Sequence, residues 1–215
     1  MYKKNTLRTI VFLIFAGFFC SCTNNDREDD ELTTSNSEVC FYYYFEEKVF
    51  VNKVLDKMVI TFSTDTDGNQ RRELVKNYSS LRLIEGWCNF DVHNNSFASL
   101  QSKNRKQIPS ETIEFFINDS RITSATYVYE TKGSWIGLTD IVIVKLKETT
   151  TYEQFENLIE QNDCKIVAIY EFPENRILFS VPKTSKFNSM QMSCLFYETG
   201  LFEYTTPNKI MLNAY

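Results

Sequence analysis

From Lys57 onward the chain repeats one rhythm: short runs rich in Val, Ile, Phe and Tyr, broken by stretches with helical spacing. Residues 57–62 (KMVITF) read as a strand, because β-branched and aromatic side chains suit a pleated, half-buried backbone. Residues 70–78 place Leu74, Val75 and Tyr78 on one helical face. Residues 81–87 alternate apolar and polar side chains, and 96–100 form a short further strand. A helix starting at Pro109-Ser110-Glu111 gathers Ile113, Phe116 and Ile117, and a strand follows over 122–129. The second half runs alike. A strand covers 140–146. A helix capped by Thr150 reaches Asn162, with Tyr152, Phe155, Leu158 and Ile159 on one stripe. Strands are expected over 165–171 and 176–181, separated by a turn at Pro173-Glu174-Asn175. A helix over 188–199 ends at Gly200, where a left-handed cap is favoured, and a last strand begins at 201–204.

Residues 56–130 and 139–212 therefore each read β-α-β-β-α-β, the order of a ferredoxin-like arrangement. The expected class is α+β, with two ferredoxin-like domains in tandem. A β-hairpin precedes them over 40–51, its charged turn at Glu46-Glu47. Lys132-Gly133-Ser134, with Gly137, makes the junction. The expected domains are 40–131, which includes the hairpin, and 132–215.

The amino end is organised differently. Lys3, Lys4 and Arg8 precede an uncharged run over 10–19, too short to span a bilayer as an ordinary helix, and then Cys20-Ser21-Cys22. This is the layout of a cleaved signal peptide over 1–21. Phe19-Cys20-Ser21-Cys22 resembles a bacterial lipobox, which implies a lipid on Cys22. Acyl chains contribute about 0.8 kcal/mol per buried methylene, so such a cysteine would hold the protein at a membrane. Residues 22–39 then form a polar tether carrying Asp26-Arg27-Glu28-Asp29-Asp30-Glu31, with too little apolar surface to order itself. An acidic cluster at that place resembles the surface-export signal of Bacteroidetes lipoproteins. The expected location is the cell envelope, lipid-anchored in the outer membrane and surface-exposed.

The net charge is −5, and loss of Lys3, Lys4 and Arg8 takes it to about −8. Basic residues do not cluster, which excludes nucleic acid as a partner. His93, in a polar turn, is the single histidine, and nothing nominates a nucleophile or an orienting group for it. No GxSxG, HExxH or phosphate-cradling glycine loop occurs. Neither a metal nor a cofactor is expected. Cys40, Cys88, Cys164 and Cys194 allow three pairings, and spacing does not choose among them. Tyr42 and Tyr44 share one strand face, Tyr43 and Phe45 the other, as in a core strand.

Residues 188–208 (NSMQMSCLFYETGLFEYTTPN) carry the informative likeness. A helix followed by Leu201-Phe202-Glu203-Tyr204-Thr205-Thr206-Pro207-Asn208 resembles the end of a subtilisin-family propeptide. The match falls at Glu203, Tyr204, Pro207 and Asn208. The opening Phe41-Tyr42-Tyr43-Tyr44-Phe45-Glu46-Glu47-Lys48 resembles the start of mature Bacteroidales lipoproteins that carry such a pro-region before a subtilisin-like catalytic domain. No segment carrying their Asp, His or Ser triad residues is present. The resemblance implies a non-enzymatic, propeptide-like module that binds or inhibits a subtilisin-like serine protease. It further implies that Asn208, Lys209, Ile210, Met211, Leu212, Asn213, Ala214 and Tyr215 form a tail entering the protease cleft as an added strand. Two readings stay open beside it: a remnant pro-region that lost its catalytic domain, and a surface adhesion or glycan-associated lipoprotein.

Overall fold

A computed structural model describes residues 37–92, 96–171 and 175–212. The signal segment, Cys22, the acidic run, His93, Pro173, Glu174 and Asn213–Tyr215 lie outside the described residues. The elements run β1 (Ser37–Tyr44), β2 (Glu47–Phe62), α1 (Gly68–Lys76), β3 (Leu81–Asn89), β4 (Phe97–Ser102), α2 (Ser110–Asn118), β5 (Ile122–Thr131), β6 (Ser134–Leu146), α3 (Tyr152–Gln161), β7 (Lys165–Tyr170), β8 (Arg176–Ser180), α4 (Ser189–Glu198) and β9 (Phe202–Met211).

The expectation of tandem ferredoxin-like (βαββαβ) domains is overturned. All nine strands join one antiparallel sheet of order β3-β4-β2-β5-β6-β8-β7, with β1 paired to β2 and β9 to β6. Strands hold 48% of the described residues and helices 23%. Two long strands cause the departure. β2 runs for 16 residues, so the expected leading hairpin is no appendage: its second strand continues into the sheet centre. The hairpin turn lies at Phe45-Glu46, one residue earlier than its charges indicate. β6 runs for 13 residues, taking in Ser134 and Gly137 of the stretch read as a junction. Lys132 and Gly133, both at positive φ (45° and 78°), make the tight turn that pairs Tyr129, Glu130 and Thr131 with Ile136, Trp135 and Ser134. The expected boundary at 131/132 falls inside this hairpin.

Both long strands change direction. β2 shifts register against β5 between Val54 and Met58, and β6 shifts against β9 between Leu138 and Val142. Such irregularities bend a strand and increase its twist. β6 also packs closely against β2 at Gly137. A methyl at that glycine would meet Val59 Cγ1 at 2.7 Å.

Four cores result. Met58, Ile60, Leu100, Leu74 of α1 and Phe116 of α2 make the first. Val142, Val144, Phe179, Phe155 of α3 and Phe196 of α4 make the second. A third sits under the hairpin, where Cys40, Tyr42 and Val51 meet Tyr129, Ile136, Met190 and Cys194. The fourth is on the opposite sheet face, with Val59, Trp87, Val128 and Leu212. Met58 stands beside Tyr127, and Ile136 beside Tyr129, two residues further along the same face. The first and third cores therefore share one side of the sheet.

Candidate docking surface

β6 reads Ile141-Val142-Ile143-Val144, apolar on both faces, as strands buried on both sides do. Val142 and Val144 are fully buried beneath α3 and α4. Ile141 and Ile143 point the other way and stay half-buried. Register brings Leu178 of β8 beside Ile143, and Ala168 of β7 beside Leu178. On the other flank Thr206 stands opposite Ile143, and Tyr204 opposite Lys145. None of the four buried clusters includes Ile141, Ile143 or Leu178. The Lys145–Glu203 ion pair, at 2.6 Å, borders this face.

The face runs to an open edge at β7. Ala168 stands beside Leu178 there and Tyr170, 48% exposed, beside Arg176, whereas Ile169, 54% exposed, pairs with Ile177 on the helix-covered face. Exposed edge strands usually carry charges or a cover, because their free N–H and C=O groups recruit other strands. β7 has one charged residue, Lys165. Two polar atoms in the same part of the sheet, Nε of Arg176 and Oγ1 of Thr206, are buried without a hydrogen-bond partner among the described residues. Buried polar groups are nearly always paired, so each costs stability as it stands.

The residues expected to form a cleft-entering tail lie elsewhere. Asn208 to Met211 are the last residues of β9, with Lys209 opposite Leu138, Ile210 opposite Gly137 and Met211 opposite Ile136. The Asn208 amide donates to Thr139 Oγ1 at 3.2 Å. Lys209 Nζ donates to the Tyr42 hydroxyl at 2.9 Å and lies over its ring. Leu212 is buried in the fourth core, and its N–H donates to the Trp135 carbonyl at 2.8 Å. Asn208–Leu212 is thus built into the protein's own sheet, and Asn213, Ala214 and Tyr215 lie outside the described residues.

The aromatic run divides by environment. Tyr42 is a core residue. Tyr43 stacks on Tyr197 at 4.3 Å between centroids. Tyr44 and Phe45 are 54% and 56% exposed at the hairpin tip, and Phe45 meets Tyr204 edge-to-face at 5.6 Å.

A crevice of about 350 Å³ opens between α2, β5 and the segment before α4. Lys53, Lys183, Lys186, Glu114 and Asp140 line it, and no histidine or cysteine does. Burial raises the Asp140 carboxyl above its ordinary value, and nearby Lys183 opposes that rise. Cys88, Cys164 and Cys194 are not disulfide-bonded, so no bridge links those three. Burial, helped by Asp163, pushes the Cys164 thiol up to about 12, far from a nucleophile's range. No group of three or more potential metal ligands occurs among the described residues. No family model matches the chain, and no curated protein matches it.

The sequence left two features of this surface out of view. The exposure of Ile141 and Ile143 has no sequence signal of its own, because a run apolar on both faces also describes a fully buried strand. Phe45 was read as a strand residue, since the charges at Glu46 and Glu47 marked the turn too late.

Proposed function

We propose that the chain is a non-catalytic binding module whose open β6–β8–β7 face docks a subtilisin-like serine protease, with a lipid on Cys22 holding it at the cell envelope. One observation carries the docking: Ile141, Ile143 and Leu178 form a half-exposed apolar face that continues to Ala168 and Tyr170 of β7. Apolar faces bordered by charged residues mark protein-interaction sites. The protease as partner rests on the likeness at Glu203, Tyr204, Pro207 and Asn208. The inhibitory element is the sheet face, because Asn208–Leu212 is occupied inside the fold.

The test is binding of the full detergent-solubilised chain to a subtilisin-like protease whose catalytic serine has been blocked with phenylmethylsulfonyl fluoride. The expected result is saturable binding that Leu178→Glu weakens at least tenfold while leaving the melting temperature unchanged. Absence of binding to several such proteases, with the chain intact, would sink the proposal.

A further inference from the structure

A second crevice, of about 330 Å³, lies between α1 and β3. β3 is at the other end of the strand order from β7, so this crevice stands apart from the docking face. Its walls include Val75 of α1, Leu81 and Leu83 of β3, and Phe90 just beyond β3. Leu83 is 37% exposed, so part of this apolar wall stays wet. Three cations line it as well: Arg72 and Lys76 of α1, and Lys103 just after β4. Arg72 and Lys76 share one helix face at a spacing of four, where like charges repel. Lys103 arrives by backbone pairing, its N–H donating to the Ser80 carbonyl at 3.1 Å.

The charges on this wall are not balanced. Arg72 lies over the Phe90 ring and pairs with Asp91 at 2.5 Å. Lys76 and Lys103 make no ion pair among the described residues. No carboxylate lines the crevice, in a chain whose net charge is −5. Lys76 answers the negative end of α1, which gives it a structural role. Lys103 is on no helix and has no such role. Sites for small molecules are mostly apolar, with a few polar groups that fix orientation. We infer that this crevice binds a small organic anion with an apolar body, such as an aromatic carboxylate. The ring lies against Leu83 and Phe90, and the negative charge faces Lys76 and Lys103. This inference does not depend on the docking reading.

The experiment is calorimetric titration of the full chain, in an uncharged detergent, with naphthoate. Naphthalenemethanol, which has the same ring without the charge, is titrated beside it. Saturable naphthoate binding is expected, weakening as sodium chloride screens the lysines. The alcohol is expected to bind roughly tenfold more weakly, and Lys103→Gln to weaken naphthoate roughly fivefold. Leu83→Glu is expected to abolish binding. Both side chains are exposed, so neither variant is expected to lower the melting temperature. Absence of saturable binding would overturn the inference. Equal binding of the alcohol would reduce the site to an apolar notch without selection for charge, and overturn it too. Unchanged affinity in both variants would place the naphthoate elsewhere. Lower melting temperatures in both would assign Leu83 and Lys103 to the fold instead of a ligand; either result also overturns it.

Discussion

Single atoms decide a good deal in this protein. Gly137 lacks the methyl group that would press on both γ carbons of Val59, at 2.7 and 3.0 Å. Gly137→Ala is expected to lower stability by about 1–3 kcal/mol, the usual cost of overpacking a close-packed site. Urea unfolding measures this, and an unchanged midpoint would mean that β2 and β6 separate without loss. Sequence marked this glycine as part of a linker, because a glycine soon after Lys132-Gly133-Ser134 carries the same signal whether it loosens the chain or admits a strand packed against it. The thiols are more readily read. Cys164 is buried beside Asp163, and both conditions favour the protonated thiol. Iodoacetamide at pH 8 is expected to leave Cys164 unmodified in the native protein and to alkylate it in urea; rapid native labelling would contradict its placement.

Short-range chemistry was legible at the elements. Asn188 opens α4 by accepting from the Gln191 N–H at 3.0 Å, while Gln191 Oε1 accepts from the Asn188 N–H at 3.1 Å. Gly200 follows that helix at φ +76°. Asn188 and Gly200 stand in the sequence where these roles require them. Thr150 was expected to cap α3, yet Thr151 does so, and the Thr150 hydroxyl instead donates to the Leu201 carbonyl at 2.7 Å. Adjacent threonines offer the same hydroxyl, so only the path of the following strand separates them. Asn188→Ala is expected to cost about 1 kcal/mol through loss of the cap. The change is readable as a lower melting temperature, without a change in affinity for the protease. Strand ends were less legible than helix ends. β2 and β6 each continue through polar residues that the pattern treats as interruptions, because β5 beside β2 and β9 beside β6, both far off in sequence, help satisfy the backbone there.

At the level of the molecule, one sheet takes the place of the two expected ferredoxin-like repeats. Because β5 and β6 pair directly and Leu212 packs with Val59 and Trp87, the halves are expected to unfold together. Calorimetry should show a single transition with equal calorimetric and van't Hoff enthalpies, and two resolved transitions would restore the two-domain picture. Asp140 adds a pH dependence at the crevice between the halves. Its folded-state pKa is raised, so the native state holds the proton longer than the unfolded chain does. Stability therefore falls as pH rises from the ordinary value near 3.8 through the raised one. Asp140→Asn is expected to raise the melting temperature at pH 7 and leave it unchanged at pH 3; no gain at pH 7 would mean that Lys183 fully offsets the burial. None of this could be read from the sequence, since whether two halves share a sheet depends on hydrogen bonds between edges that composition does not mark.

The first and last strands lie side by side, with Lys209 resting on Tyr42 and Leu212 closing the far core. A polypeptide delivered amino end first cannot complete this closure while residues 202–212 are still inside a ribosome or a translocation channel. The hairpin must wait, with its aromatic rings wet, until the last strand arrives. The fold thus carries its own timing: closure waits for residues 202–212, whereas the helices can form as they emerge.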